Sequence, residues 1–218
     1  MRLENFSINT NAIFGINASL MVPEKVSEFG FSKVGVIIDE KIATLPIAGS
    51  LFETWNSKGL RPVKVYHSRT GIEPDYNYVD EVTEEFRSAN LDLLIGIGGG
   101  SVLDLTKGVG ILLRNTGKSI VYRGMNKVSK PGVPVVLIPT TAGTGSEVTK
   151  TASFIDNNSK TKLGINGKYV GCLMSFLDPS LITSCPPSVT ISSGLDALVH
   201  ATEAITAKTT NRISMFFG

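Results

Sequence analysis

The segment GIGGGSVLD at residues 96–104 joins a strand pattern to a helix pattern, and this junction indicates the class of fold. It completes the apolar run Leu93–Ile97 and opens a segment with apolar residues at helical spacing, namely Val102, Leu105, Val109 and Leu112. Glycines at such a turn let the backbone approach a ligand, and the free amides at the helix start bind phosphate. The stretch therefore predicts a pyrophosphate-binding turn, although Ser101 stands where the common G-x-G-x-x-G fingerprint has its last glycine. The alternative is a tight strand-to-helix turn without a ligand.

The segments around this turn alternate between strand and helix patterns. The runs Val34–Ile38 and Val133–Ile138 lack period-two alternation, which is typical of strands buried on both faces of a parallel sheet. Apolar residues at helical spacing lie between the strands, at Ile47, Leu51, Phe52 and Trp55 and again at Val79, Val82 and Phe86. The chain is therefore predicted to be an α/β protein with a Rossmann-like, open and mostly parallel sheet and helices on both faces.

Beyond Ile138 the pattern becomes less regular. Val148–Ile155 and Cys172–Leu177 are expected to be further strands, separated by a turn at residues 156–159. We expect this part to extend the same sheet by a partly antiparallel section.

A second domain is expected to begin after Ser184. Two prolines at 186–187 precede a helical pattern at Val189–Ala207. We therefore expect an α/β domain at residues 1–184 and the start of an all-helical domain at residues 185–218. Because a lone helix cannot bury its apolar stripe, we expect the rest of that domain to be missing from this truncated chain, and these 218 residues to aggregate or dimerise.

Composition excludes several classes of partner. Lys and Arg total 21 against 19 Asp and Glu, without the basic runs typical of nucleic-acid binding. No apolar run approaches the ~20 residues that cross a membrane, and the N-terminus lacks a secretory signal pattern. The only cysteines, Cys172 and Cys185, form no Cys-x-x-Cys pair, which favours a reducing, cytoplasmic location. We therefore expect no nucleic-acid partner and no membrane partner.

A second candidate loop, PTTAGTGSE at residues 139–147, follows the buried run that ends at Ile138. Its four hydroxyl side chains and two glycines stand where ligand-binding loops of open α/β sheets gather. The hydroxyl groups can reach the phosphates, base or amide of a nucleotide, and the alternative is a turn that caps a helix or strand. Asp39, at the end of the first buried run, can accept hydrogen bonds from a ribose and so favour NAD over NADP; the alternative is an N-cap.

Asp196 and His200 are four residues apart and share one face of the predicted helix. A carboxylate and an imidazole so placed can bind a divalent metal, and the apolar neighbours Leu195, Ala197 and Leu198 predict buried surroundings. The alternative is a surface ion pair. The only other histidine, His67, lies in the first domain, so the sequence supplies at most half of a metal site.

Five motifs in this order resemble the iron-containing (group III) alcohol dehydrogenase family. They are GGGSxxDxxK at 98–107, PTTAGTGSE at 139–147, DPxL at 178–181, PP at 186–187 and GxDALxHAxE at 194–203. They are spread over most of the chain and are specific as a set.

The resemblance implies a role for each matching residue of a cofactor site. The pyrophosphate loop would be Gly98, Gly99 and Ser101, with Asp104 near the nicotinamide. The second cofactor loop would consist of Thr140, Thr141, Thr144 and Ser146. Lys162 would contact the cofactor, Leu181 would line the adenosine and Asp39 would bind the ribose. Asp196 and His200 match the first two metal ligands, whereas the two later histidines of the family are absent here. GIEPD at 71–75 departs from the family's Asn-Pro turn, which puts a cofactor contact there in doubt.

The resemblance also implies an architecture and a reaction. Family members have a dehydroquinate-synthase-like arrangement, in which NAD lies on the α/β domain and Fe²⁺, or Zn²⁺ in some members, on the helical domain. The metal binds the substrate oxygen while hydride passes between an alcohol or aldehyde and the nicotinamide. The complete protein is expected to be a homodimer.

Three functional hypotheses remain open at this point. The first is an NAD-dependent, metal-dependent alcohol dehydrogenase of which these residues are the N-terminal fragment. The second is a product that binds a nucleotide or a partner without catalysis. The third is a related dehydrogenase for glycerol or a phosphorylated substrate.

Overall fold

Strands and helices alternate along the chain in the computed structural model, which describes residues 10–208 and 210–217. The strands are β1 (Asn11–Phe14), β2 (Val34–Asp39), β3 (Lys64–Ser68), β4 (Leu93–Gly98), β5 (Gly124–Met125), β6 (Val135–Pro139), β7 (Thr151–Asp156), β8 (Thr161–Asn166) and β9 (Met174–Leu177). The α-helices are α1 (Val22–Glu28), α2 (Glu40–Ala43), α3 (Pro46–Ser57), α4 (Tyr76–Arg87), α5 (Gly100–Leu112), α6 (Pro187–Thr206) and α7 (Arg212–Phe217). Short 3₁₀ helices lie at Ala18–Met21, Ser119–Tyr122, Ser146–Val148 and Pro179–Leu181.

The main sheet has six strands in the order β1-β9-β6-β4-β2-β3, and every neighbouring pair is parallel. The three apolar runs of the sequence form β2, β4 and β6, three of the four interior strands, which confirms the predicted parallel sheet. The order reverses between β2 and β4, because β3 lies beyond β2 on one side while β6 and β9 follow β4 on the other. Open α/β sheets bind ligands outside the carboxyl ends of their strands at such a reversal, here beside Asp39 and Gly98.

Helices cover both faces of this sheet, as predicted. Val36 and Ile38 pack on one face in a core that includes Trp55 of α3, whereas Ile37 packs on the other face with residues of α4 and α5. The indole of Trp55 is fully buried, and its Nε1 donates to the carbonyl of Ser19 at 3.0 Å. The layer that contains α4 and α5 fixes the direction of α5 against the sheet, and with it the position of the glycine turn.

The strand predicted at Cys172–Leu177 extends the main sheet as β9, whereas the expected antiparallel extension of that sheet by Val148–Ile155 was wrong. β7 and β8 form an antiparallel hairpin in a separate sheet of order β5-β8-β7, and the turn at residues 156–159 joins these two strands. β9 instead pairs parallel with β6 inside the main sheet. The physical reason is that β7 packs on a helix: Phe154 is fully buried, and its ring lies 2.8 Å from the position of a β-carbon added at Gly108 of α5.

The helix predicted at 189–207 is present as α6. Its large apolar side chains are mostly exposed, among them Ile191, Leu195, Leu198 and Val199. Over the described part of the chain, no helix combines the length and the apolar character that crossing a bilayer requires.

Candidate nucleotide and metal site

The glycine turn lies at the carboxyl end of β4. Gly98 ends the strand, Gly99 is the N-cap in an extended conformation, and α5 begins at Gly100. A β-carbon added at Gly98 would stand 2.7 Å from the side chain of Val102, so the first turn of the helix requires glycine there. The first amides of α5 have no partner within the helix and are free to bind an anion.

The second loop contacts this turn directly. Gly98 and Pro139 are register partners on neighbouring strands, and the amide of Thr140 donates to the carbonyl of Gly98 at 3.0 Å. β-Carbons added at Gly99 and Gly100 would stand 3.4 Å from Thr141 and 2.9 Å from Thr144, respectively. The structure therefore brings the glycine turn and the hydroxyl-rich loop together at one edge of the sheet.

Asp104 is bound by the protein itself. Its Oδ1 accepts a short hydrogen bond from the hydroxyl of Ser146 and lies 3.1 Å from the ammonium of Lys107. Its Oδ2 accepts from the amide of Ser153 at 2.9 Å. The carboxylate thus joins α5 to the end of the second loop and to β7, and its contact with a nicotinamide stays a prediction. In the same loop, burial raises the pKa of Glu147, which its backbone and the nearby Lys107 partly offset.

Asp39 caps a helix, which is the alternative that the sequence left open. Its Oδ1 accepts from the amides of Lys41 at 2.9 Å and Ile42 at 3.2 Å, and from the hydroxyl of Thr70 at 2.6 Å. The residue ends β2, next to the strand that ends at Gly98, so it lies at the same edge as the two loops. A second role in binding the ribose stays a prediction.

Lys162 and Leu181 are less closely joined to the loops. Lys162 lies on β8, in the second sheet, where its Nζ pairs with Glu73 at 2.6 Å on the surface. Leu181 follows β9 and is buried in the core that contains Trp55, so its observed role is packing. The structure brings Ser101 to the first turn of α5, beside the glycines.

Asp178 is a structural anchor whose importance the sequence did not reveal. Its carboxylate is fully buried and accepts hydrogen bonds from the amides of Asn17, Ser19 and Ser180 and from both serine hydroxyl groups. Burial raises the pKa of Asp178, but the donors of Ser180 and Ser19 outweigh it, so the pKa is lowered from its usual value. The DPxL spacing was visible, whereas partners some 160 residues away were not.

The Asp196–His200 pair lies on one face of α6, with Oδ1 and Nε2 at 3.8 Å. The predicted buried surroundings were wrong, since the two side chains are 45% and 54% exposed. α6 packs on the rest of the chain mainly near Ser193, whose carbonyl would stand 1.8 Å from a β-carbon added at Gly143. An apolar stripe predicts which face of a helix packs against other elements, but not that those elements are present.

The donor chemistry of this pair suits a divalent metal, because both side chains are accessible and share one helical face. Within residues 10–208 and 210–217, no three histidine, cysteine, aspartate or glutamate side chains are grouped closely enough to hold one ion. That these residues supply at most half of a metal site stays a prediction.

Comparison with known proteins agrees with this geometry. The family model described as "Iron-containing alcohol dehydrogenase" matches residues 9–179. An NAD-dependent methanol dehydrogenase of Bacillus methanolicus is 34% identical over 94% of this chain and 54% of its own length. A sulfoacetaldehyde reductase of Bilophila wadsworthia is 34% identical over 88% of this chain and 49% of its own length. The alcohol dehydrogenase structure from Oenococcus oeni superposes with a TM-score of 0.90 at 26% identity, covering 98% of this chain and 56% of that one. The chain thus spans about half the length of the relatives it matches.

Proposed function

Because the chain belongs to the iron-containing alcohol dehydrogenase family, we propose that it forms the NAD-binding part of a metal-dependent alcohol dehydrogenase. The contact between the glycine turn and the hydroxyl-rich loop carries this proposal. It places free helix amides, hydroxyl groups and the Asp39 carboxylate at the edge where the strand order reverses. That set of groups suits a dinucleotide with a pyrophosphate and an unphosphorylated ribose.

Each part of the site has one task in this proposal. The amides at the start of α5 bind the pyrophosphate, and Thr140, Thr141 and Thr144 donate to the cofactor from the facing loop. Asp39 accepts from the ribose hydroxyl groups and repels a 2′-phosphate. The bound cofactor supplies the hydride chemistry, while the protein supplies its orientation.

Asp196 and His200 are proposed as two ligands of the metal. An iron or other divalent ion supplies Lewis-acid chemistry at the substrate oxygen. We also propose a domain boundary near Ser184, small alcohols or aldehydes as substrates, a homodimeric complete protein and a cytoplasmic location. The exposed apolar face of α6 supports the boundary, because little of this helix packs on the α/β layers.

NADH fluorescence titration of the 218-residue chain tests the cofactor site. We expect saturable NADH binding, and NADPH binding that is weaker by about tenfold or more because of Asp39. Absence of saturable binding of either nucleotide by a folded chain would overturn the proposal.

A second candidate function is nucleotide binding without turnover by these 218 residues. The metal site favours this second function, since the described residues contribute only one exposed pair of candidate ligands, Asp196 and His200. Iron content and NAD-linked oxidation of short alcohols, measured on this product, separate the two functions. Stoichiometric iron with robust turnover would show that no further ligands are needed.

A further inference from the structure

Lys107 is a buried, charged residue to which the proposed cofactor site assigns no role. It lies on α5 and is 1% exposed, among apolar residues such as Val109 and Leu103. An ammonium group removed from water is costly unless hydrogen-bond acceptors surround it. Its partners therefore indicate what the charge does.

Three acceptors surround the ammonium, matching its three donors. Nζ lies 3.1 Å from Oδ1 of Asp104 and 3.3 Å from the hydroxyl oxygen of Thr149, and it donates a short hydrogen bond to the carbonyl of Thr151. One acceptor lies on α5, one in the segment after the second loop and one at the start of β7. Lys107 thus connects three segments at one point.

These acceptors lead back to the second loop. Asp104 accepts a hydrogen bond from the hydroxyl of Ser146, and the hydroxyl of Thr149 donates to the carbonyl of Ser146 at 3.3 Å. The loop is therefore held at two points along α5: Thr144 lies against Gly100 at the helix start, and Ser146 is bound by Asp104 about one turn further along.

We infer that Lys107 is a positioning residue, which fixes the hydroxyl-rich loop against α5 before a nucleotide arrives. A buried ion pair contributes little net stability compared with an apolar residue of similar volume, whereas its fixed directions hold its partners in one geometry. The consequence for NADH affinity rests on the proposed function, but the order of the loop does not.

Lys107→Met tests this inference, because it keeps the length and apolar body of the side chain and removes the ammonium. Hydrogen exchange without nucleotide should become faster at amides of residues 144–153 and stay unchanged in β2 and β4. NADH affinity should fall about tenfold or more, as for loss of a hydrogen bond to a charged group. Lys64→Met is the matched control: Lys64 pairs with Glu85 at 2.8 Å on the edge strand β3, and its loss should change NADH affinity by less than about twofold.

A double-mutant cycle with Ser146→Ala separates positioning from general destabilisation. If Lys107 acts through Asp104 and Ser146, the double variant should lose little more affinity than the worse single variant, whereas Lys64→Met and Ser146→Ala should be additive. Additive losses in both cycles, or unchanged exchange at residues 144–153, would overturn the inference. Lys107→Gln, which removes the charge and is one bond shorter, carries the same comparisons if Lys107→Met does not fold. If the wild-type chain binds no NADH, the proposed function fails while the exchange experiment still decides the role of Lys107.

Discussion

Gly100 lies so close to Thr144 that a β-carbon added to the glycine would stand 2.9 Å from the threonine Cγ2. The first residue of α5 and a hydroxyl residue of the second loop thus meet without room for a methyl group. A larger residue at position 100 has to displace the loop, because the helix start is held by the glycine turn and by the packing of α5 on the sheet. A substitution at this contact therefore tests directly whether the two loops form one ligand site.

Gly100→Ala should weaken NADH binding by about tenfold or more, since it displaces Thr144 and crowds the first amides of the helix. The free energy of unfolding should change by no more than about 1 kcal/mol, because alanine is the better helix former. Fluorescence titration and urea unfolding of the same samples measure both effects.

Gly49→Ala is the matched control for this substitution. Gly49 lies inside α3, and an added β-carbon there meets no atom within 4 Å. The change should stabilise the chain by up to about 1 kcal/mol and leave NADH affinity unchanged. Equal NADH affinities of the Gly100→Ala variant and the wild type would show that the contact plays no part in binding.

Asp39→Ala should relax the preference for NADH over NADPH by about tenfold or more, because a negative charge beside the 2′-phosphate is removed. It should also cost about 0.5–2 kcal/mol of stability through the lost N-cap of α2. The measurement is the ratio of the two dissociation constants, which does not depend on how much of the protein is active.

Asp92→Ala provides the comparison for Asp39. Asp92 also accepts two backbone amides, from Ser32 and Lys33 at 2.9 Å, but it precedes β4 and so lies at the opposite edge of the sheet. Its loss should lower stability without changing nucleotide preference. A similar shift in preference in both variants would contradict a role of Asp39 in reading the ribose.

Burial on both faces explains which strands the sequence revealed. β2, β4 and β6 are continuous apolar runs because helices cover both sides of them, and a continuous apolar run is a strong signal. β1 and β8 are largely exposed and carry no such signal, so the sequence did not indicate them. The second sheet could not be predicted for the same reason, because β8, the partner of β7, is not visible in the sequence.

The candidate site was predictable wherever chemistry depends on local order along the chain. The glycine turn and the hydroxyl-rich loop each follow a recognisable strand, so their meeting at one edge follows from parallel pairing. Burial around Asp196 was not predictable, since it depends on a layer outside α6 that the helix's own residues cannot specify. The partners of Asp104 were equally invisible, because Ser146 and Ser153 are more than 40 residues away.

Asp178 should make stability depend on acid pH. Its pKa in the folded chain is lowered from its usual value near 3.8, so its contribution is complete above about pH 4 and is lost as pH falls through the folded-state pKa. Asp178→Asn should cost about 2 kcal/mol or more at pH 7, because buried donors of Asn17, Ser19 and Ser180 lose an ionised acceptor. Urea unfolding at pH 7 and pH 3 should then show a smaller acid-dependent loss in the variant than in the wild type.

Ser19→Ala refines this test, because it keeps the carboxylate and removes the hydroxyl that donates to it at 2.5 Å. The pKa of Asp178 should rise part of the way, so the acid-dependent loss should begin at a higher pH than in the wild type. Identical acid profiles of the wild type, Ser19→Ala and Asp178→Asn would place the acid sensitivity elsewhere.

The apolar face of α6 should make the 218-residue chain self-associate. Ile191, Leu195 and Leu198 lie at helical spacing and are 57–63% exposed, which forms a stripe rather than scattered single residues. Leu198→Lys should shift sedimentation towards the monomer, because it puts a charge in the stripe at little cost in helix propensity. Val121→Lys changes an exposed valine in a 3₁₀ turn outside the stripe, so it should leave the association constant unchanged. A monomeric wild-type chain at about 100 μM, or equal effects of the two lysine substitutions, would mean that this stripe does not drive association. An effect of Leu198→Lys alone would identify the apolar face of α6 as the surface through which the chain associates.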